Sequence, residues 1–162
     1  MEAKRYNFPH WFEWHLDSKV GPLHREDGPA IEYDDGVTKV WYINGSRHRI
    51  DGPAYIDNEF EIWYSNGLKH RIDGPAVKSK YDSSERWYIN GKLHREDGPA
   101  ITDGNAYTWY KNGLIHREDG PAVINNNNDI TQYFLNDVIL TKEQWVSQVR
   151  ENRLFNILQK ND

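Results

Sequence analysis

The sequence contains no cysteine and only one methionine among its 162 residues. Without cysteine there is no disulfide framework, no thiolate zinc site and no cysteine nucleophile. Long apolar runs are absent too. Residues 1–19 contain no hydrophobic segment of the kind found in secretion signals, and no run approaches the length of a membrane span. These absences predict a soluble, cytoplasmic protein.

Hydrophobic residues make up only 37 % of the chain, but 7 Trp, 10 Tyr and 5 Phe are among them. Disordered chains are poor in aromatic residues, so we expect a folded protein whose apolar mass consists mainly of rings. Lys and Arg number 20 against 25 Asp and Glu, which gives a formal net charge of −5. This mild acidity disfavours nonspecific nucleic-acid binding.

An internal repeat dominates the sequence. The motif His-Arg-x-Asp-Gly-Pro-Ala occurs five times, with spacings of 24, 22, 24 and 22 residues. Its copies begin at His24, His48, His70, His94 and His116. A second motif, Trp-Tyr-x-Asn-Gly, begins at Trp41, Trp63, Trp87 and Trp109, and residues 133–137 form a decayed fifth copy.

The spacing within the repeat predicts β-structure. From each Trp to the next repeat Ala the step is always 13 residues, whereas from each Ala to the next Trp position it is 11 or 9. A change of two residues leaves every side chain on its own face of a strand, whereas a change of one residue would invert the faces. The repeat therefore tolerates the length change that a β-strand allows.

Asn-Gly between two strand-like segments predicts a tight hairpin, because both turn residues must adopt positive φ. A two-residue loop at Asn44-Gly45 predicts four cross-strand pairs: Ile43 with Ser46, Tyr42 with Arg47, Trp41 with His48, and Val40 with Arg49. In each copy the Trp and His side chains would then share one face, and the Tyr and Arg side chains the other.

The Asp-Gly-Pro segment predicts a bulge or bend in the outgoing strand, because glycine tolerates positive φ and proline cannot donate a ladder hydrogen bond. The strand would resume at the repeat Ala and turn at a tip of variable length. The longer tips lie in segments 31–40, 77–86 and 123–132. The whole predicts an antiparallel meander with two strands per unit and contacts mainly between neighbouring units.

Segment 87–104, with Trp-Tyr-Ile-Asn-Gly followed by His-Arg-Glu-Asp-Gly, resembles a variant of the MORN repeat. In that family an aromatic residue precedes Asn-Gly and His-Gly-x-Gly follows in the next strand, so Arg here takes the place of a Gly and the Pro is additional. The resemblance implies an all-β, elongated antiparallel meander of repeated hairpins, with 22–24 residues per unit over residues 22–140.

The His-Arg-x-Asp-Gly-Pro-Ala version also resembles repeat proteins encoded by tailed bacteriophages and giant DNA viruses. This second resemblance implies a viral protein that acts in the host cytoplasm. There it would bind and inhibit a host component, for example one of the host's defence proteins.

The two ends depart from the repeat. Residues 1–21 are expected to form an irregular N-terminal cap that supplies one atypical strand and contains His10 and His15. Residues 141–162 are expected to form a C-terminal helix and tail, because Thr141-Lys-Glu-Gln144 is a capping box and apolar residues recur up to about Lys160. The helix would either cap the last hairpin or bind a partner, including a second copy in a homodimer.

The repeat histidines are interpreted as structural. Equivalent positions lie two strands apart, about 9.5 Å, whereas two ligands of one Zn²⁺ lie within about 4.2 Å of each other. Each His is expected to stack on its cross-strand Trp and to hydrogen-bond the turn. We expect no metal, cofactor or catalytic residue, because no phosphate-binding loop, nucleophile elbow or paired acid motif occurs outside the repeat.

The repeat arginines have two interpretations. Each Arg would pair with the Asp two residues later and stack on a Tyr, or the Arg and Tyr rows would together bind an anion, a nucleotide or an acidic protein surface. The candidate binding residues are Arg25, Arg49, Arg71, Arg95, Arg117, Tyr42, Tyr64, Tyr88 and Tyr110.

Variable tips on a constant frame are typical of recognition scaffolds. The sequence therefore predicts a non-enzymatic protein-interaction module. The partner would contact the long tips and either the Trp/His face or the Tyr/Arg face. The alternative is a protein that sequesters an anionic small molecule or nucleotide on the Arg/Tyr face.

Overall fold

The computed structural model describes residues 2–159, so Met1 and the predicted tail at 160–162, with the predicted helix end at Lys160, lie outside the described residues. The chain divides into two compact units, residues 1–92 and 93–162. The strands of the first unit are β1 Ala3–Asn7, β2 Trp11–Leu16, β3 Ile31–Tyr33, β4 Lys39–Val40, β5 Tyr42–Ile43, β6 Ser46–Arg47, β7 Tyr55–Ile56, β8 Phe60–Ile62, β9 Tyr64–Ser65, β10 Leu68–Lys69, β11 Val77–Ser79, β12 Glu85–Arg86 and β13 Tyr88–Ile89.

The boundary between the two units falls between the two residues of strand β14, Lys92–Leu93. The elements of the second unit are β15 Ile101–Asp103, β16 Ala106–Thr108, β17 Tyr110–Lys111, β18 Leu114–Ile115, β19 Val123–Asn125, β20 Ile130–Leu135, β21 Val138–Leu140 and the helix α1 Lys142–Gln159.

The main sheet of the first unit is an antiparallel meander in the order β1-β2-β3-β4-β7-β8-β11-β12. Its register places Val40 opposite Ile31 on one side and Tyr55 on the other, and Val77 opposite Ile62. In the second unit, β15, β16, β19, β20 and β21 follow one another in the same antiparallel manner. The predicted all-β antiparallel meander, followed by a C-terminal helix, is confirmed.

The Asn-Gly motifs form the predicted tight hairpins, but as two-stranded sheets separate from the main sheet. Strand β5 pairs with β6, with Tyr42 opposite Arg47 and Ile43 opposite Ser46. At the turn, Asn44 and Gly45 have φ of 49° and 77°, the left-handed conformation that this turn requires. Strands β9 and β10, and in the second unit β17 and β18, repeat the arrangement.

The long strand of each repeat is divided at the Trp, which the sequence analysis did not predict. The Trp41 N–H donates to Ala54 O at 2.8 Å, whereas the Trp41 carbonyl accepts from the His48 N–H at 3.2 Å. The chain therefore leaves the main sheet at Trp41 and enters the small hairpin. The expected pair of Val40 with Arg49 is wrong, because Val40 pairs within the main sheet, and a complete repeat has four short strands rather than two.

The core is a row of small residues. Ala30, Ala54 and Ala76 in the first unit, and Ala100 and Ala122 in the second, are each 0 % exposed. Across residues 2–159 no large side chain is fully buried. Val40 and Val77 in the first unit, and Leu135 and Val149 in the second, are the other buried apolar residues of this range, whereas most aromatic rings are half-buried.

Both ends carry regular structure. Residues 3–16 form a complete hairpin, β1 with β2, rather than the single strand that was expected. The predicted capping box opens α1: the Thr141 N–H donates to Gln144 Oε1 at 2.9 Å, and the Gln144 N–H donates to Thr141 Oγ1 at 3.2 Å. Trp145 packs against Tyr133 with ring centroids 5.1 Å apart and donates from Nε1 to Arg117 O at 2.9 Å. Helix α1 thus covers the last strands of the second unit.

Within residues 2–159, no helix is both long and apolar enough to cross a membrane.

Candidate binding grooves

The Arg-x-Asp-Gly-Pro segment closes into a loop around its own arginine. In the second copy, Arg49 Nε donates to Asp51 Oδ1 at 2.9 Å, and Nη1 donates to Pro53 O at 3.4 Å. The guanidinium carbon lies 4.2 Å from the centre of the Trp41 ring. We call this arrangement the arginine clamp, because hydrogen bonds and one aromatic face hold the guanidinium group in place.

The clamp recurs in every copy. The Arg Nε to Asp Oδ1 distance lies between 2.7 and 3.0 Å at all five positions. The five pairs are Arg25–Asp27, Arg49–Asp51, Arg71–Asp73, Arg95–Asp97 and Arg117–Asp119. The predicted pairing of each Arg with the Asp two residues later is therefore confirmed.

The predicted stacking of these arginines on tyrosine is wrong where the ring contact is described. Arg71 lies over Trp63 at 4.1 Å, Arg117 over Trp109 at 3.9 Å, and Arg25 over Trp14 of the N-terminal hairpin at 4.0 Å. The backbone pairing of each small hairpin ends at the Trp–His pair. The Arg that follows the His is therefore not held to the alternation of side-chain faces in a strand, and its side chain folds back towards the Trp. The Tyr contact is made by the backbone instead: the Arg25 N–H donates to Tyr42 O at 3.0 Å.

The glycine of the clamp serves a purpose other than the predicted one. None of the glycines at positions 28, 52, 74, 98 and 120 is among those with positive φ. A Cβ on Gly74 would lie 2.8 Å from Arg71 Cζ, and one on Gly28 would lie 2.8 Å from Arg25 Cζ. Glycine at these positions leaves room for the guanidinium group against the backbone, and it is not explained by a left-handed backbone.

The clamp lowers the pKa of its carboxyl group. The hydrogen bond from Arg49 and the charge of its guanidinium hold the pKa of Asp51 below its usual value, and Arg71 acts on Asp73 in the same way. The carboxylates stay charged while their side chains are 79 % and 83 % exposed. Each loop thus presents to solvent a carboxylate whose Oδ1 is bonded to the clamp arginine, so the ion pair as a whole adds no net charge.

The repeat histidines connect one hairpin to the next. The N–H of the turn residue Asn66 donates to His48 Nδ1 at 3.1 Å, and the Asn90 N–H donates to His70 Nδ1 at 3.0 Å. The predicted hydrogen bond between His and a turn is confirmed, but the turn belongs to the following hairpin. Beside it, the Gly67 N–H donates to Arg47 O at 2.8 Å. The same histidine link occurs at His24, His94 and His116.

Replacing His70 by phenylalanine should reduce the free energy of unfolding by about 0.5–1.5 kcal/mol, because the ring is kept but the acceptor for the Asn90 N–H is lost. Chemical denaturation at neutral pH measures the change. His10→Phe is the matched control, since His10 is exposed and lies outside the repeats. Equal stability of the two variants would show that the Nδ1 contact contributes nothing.

Grooves run between successive clamps. The first groove, about 710 Å³, lies between loop 25–29 and loop 48–51, with Trp41 and Ile43 along it. The second groove, about 660 Å³, lies between loop 48–53 and loop 70–73, with Trp63 and Tyr64 along it. A third groove in the second unit, about 440 Å³, lies between loop 95–99 and loop 116–119 and contains Trp109.

Two isoleucines distinguish the first unit's grooves. The residue between Arg and Asp is Glu in three copies, at 26, 96 and 118, but it is Ile50 and Ile72 in the other two. Ile50 is 93 % exposed and borders both grooves, and Ile72 is 80 % exposed and borders the second. These two residues were not predicted from the sequence, although an apolar side chain at a variable position of a polar loop was the signal.

The predicted Arg/Tyr face is occupied by a different arginine. Arg47 donates from Nε to Tyr42 Oη at 3.2 Å and from Nη1 to Tyr64 Oη at 3.3 Å. Its guanidinium carbon lies 5.6 Å from the centre of the Tyr55 ring, and the Tyr55 hydroxyl donates to Asp57 Oδ2 at 2.8 Å. Burial and the hydrogen bond to Asp57 raise the pKa of Tyr55 to about 12. Tyr42 and Tyr64 thus contact Arg47 rather than the side chains of the clamp arginines.

The described residues, 2–159, contain no group of three or more His, Asp or Glu side chains arranged to hold a metal ion. Comparison of the chain with protein-family models, with curated proteins and with solved structures found no match.

Proposed function

We propose that the protein is a non-enzymatic scaffold that binds another protein through the first and second grooves. The observation that carries the proposal is the pair of exposed isoleucines, Ile50 and Ile72, on adjacent loops at the border of these grooves. Apolar residues that are grouped at one groove, rather than exposed singly, are typical of protein-binding surfaces, and Ile50 and Ile72 line the second groove together with Trp63 and Tyr64.

The clamps support this proposal because they make the grooves rigid. The walls are loops whose arginines are fixed by hydrogen bonds and by a Trp ring, so little side-chain entropy is lost when a partner binds. By the same observation, the alternative of an anion-binding Arg face is disfavoured. Each clamp arginine already bonds a carboxylate through Nε and a carbonyl oxygen through Nη1.

The resemblance to viral repeat proteins extends the proposal to the kind of partner. A viral origin would make the partner a host component, and binding in the host cytoplasm would inhibit it. The host partner is supported by the resemblance alone, whereas the binding surface is supported by Ile50, Ile72 and the grooves that they border.

The test is capture of a partner by the tagged protein from cells of its source or host, followed by reconstitution with the purified partner. We expect the double variant Ile50→Asp/Ile72→Asp to lose at least about tenfold in affinity, because it places charge on the apolar border. Val20→Asp is the control, since Val20 is 94 % exposed and is not among the residues that line either groove.

Two outcomes would contradict the proposal. One is a partner that binds wild type and the Asp double variant equally. The other is a stoichiometric small anion that is seen by native mass spectrometry and lost in Arg47→Ala, which would favour the small-molecule alternative.

A further inference from the structure

The first and second grooves have the same two kinds of wall. Pro29 and Trp41 line the first groove, and Pro53 and Trp63 line the second. One face of each Trp ring is covered by the clamp arginine, at 4.2 Å for Arg49 and 4.1 Å for Arg71. The ring remains in a fixed orientation within the groove. Each groove thus contains an indole and a pyrrolidine ring in its lining, and an aromatic-lined groove suits a flat apolar group without a donor, such as a proline side chain.

The distance between the first and second grooves sets the distance between the ligand groups that occupy them. Trp41 follows β4 and Trp63 follows β8, and these strands are separated by β7 in the main sheet. Two strand spacings amount to about 9.5 Å. A polyproline II helix advances about 9.3 Å in its three-residue turn. Side chains on one face of an extended strand are about 6.6 Å apart at two residues and about 13 Å apart at four. Two turns of an α-helix advance about 10.8 Å. Neither conformation matches the spacing of about 9.5 Å between the two grooves as well as the polyproline II helix does.

The exposed carboxylates at the groove borders would select among proline-rich segments, because the arginines paired with them are only 21–25 % exposed. Asp27, Asp51 and Asp73 are 85 %, 79 % and 83 % exposed in their side chains and stand on the three loops that bound the two grooves. Each uses Oδ1 for its clamp arginine. A partner with arginine or lysine beside its prolines would complement these carboxylates.

We infer that the partner segment is a basic, proline-rich peptide in the polyproline II conformation, with residues three apart occupying the first and second grooves. This inference rests on the proposed function, whose partner it specifies. The apolar residues between the prolines would contact Ile50 on the loop shared by the two grooves. The indole N–H groups of Trp41 and Trp63 are donors suited to the peptide's carbonyl oxygens, which a polyproline II helix leaves without internal partners.

The experiment titrates the whole protein with a synthetic peptide of about nine residues that carries proline at every third position and arginine at both ends. Calorimetry gives the affinity, and tryptophan fluorescence reports on the grooves. We expect saturable one-to-one binding, weakened at least about tenfold by Ile50→Ser/Ile72→Ser, which removes the apolar side chains without adding a charge that would attract the peptide's arginines, and unchanged by Val20→Ser. A peptide of the same composition with prolines four residues apart should bind several-fold more weakly, as should the peptide without its arginines.

Unfolding midpoints of the variants establish that each is folded before binding is compared. No saturation with the three-residue-spaced peptide up to about 1 mM would overturn the inference, and so would equal binding of the two proline spacings. Either result leaves the proposed function standing if the Asp double variant still loses the captured protein partner. If that partner binds the double variant as well as wild type, the proposed function itself fails.

Discussion

Replacing Ala54 by leucine is expected to reduce the free energy of unfolding by about 1–3 kcal/mol, one of the two largest effects that we predict for a single substitution. Ala54 is 0 % exposed, and its carbonyl oxygen accepts the Trp41 N–H at 2.8 Å. Because the site has no exposed surface, a larger side chain must displace the atoms packed around it or break the bond that directs the chain into the small hairpin. Urea denaturation of the purified variant measures the loss.

Ala106→Leu is the matched control for Ala54→Leu. Ala106 also lies on a main-sheet strand, β16, but it is partly exposed near the tip of its hairpin. The same addition of volume there should change the stability by less than about 0.5 kcal/mol. Similar losses at the two sites would mean that the alanine row is not the packed centre of the repeat.

Replacing Gly74 by alanine is expected to cost about 1–2 kcal/mol, because the new methyl group would meet Arg71 Cζ and Nε at 2.8 and 2.9 Å and displace the guanidinium group. The displaced arginine would lose its position over Trp63 and its bonds to Asp73 Oδ1 and Pro75 O. The measurement is the unfolding free energy of Gly74→Ala, Arg71→Ala and the double variant, in one double-mutant cycle.

The cycle should be strongly non-additive. Once Arg71 is reduced to alanine, the three atoms nearest to the new Cβ are gone, since all three belong to Arg71. Gly74→Ala should then be neutral or stabilising by a few tenths of a kcal/mol, because it removes freedom from the unfolded chain. An equal cost of Gly74→Ala in both backgrounds would show that the glycine is required for its backbone conformation and not for the clamp.

The repeat spacing was sufficient to predict β-structure and the Asn-Gly turns, but not the division of each long strand at the Trp. Tolerance of 9 or 11 residues, but not 10, between Ala and the next Trp implied β-structure, and the Asn-Gly dipeptides located the hairpins. Both signals are local, since they depend on side-chain alternation and on φ at two residues. The capping box at Thr141 located the start of α1 for the same reason.

The local pattern failed where the chain passes from the main sheet to the small hairpin. Continued alternation would pair Val40 with Arg49, but Trp41 bonds Ala54 through its N–H and His48 through its carbonyl. Trp41 thus forms backbone hydrogen bonds with both the main sheet and the small hairpin. The alternation of residues along one strand does not show which partner its N–H and which its carbonyl will bond. The placement of Arg49 on Trp41 rather than on a tyrosine followed from this change of partner.

By itself, then, the sequence determined the periodic antiparallel meander, the positive-φ turns and the C-terminal helix, because each is set by residues that are close in the chain. Only the tertiary structure decided where the main sheet and the hairpins separate, which ring each arginine covers, and that Ile50 and Ile72 border aromatic grooves. Those features depend on contacts between successive repeats, and residues about 22 to 24 positions apart come together only when the strands are paired.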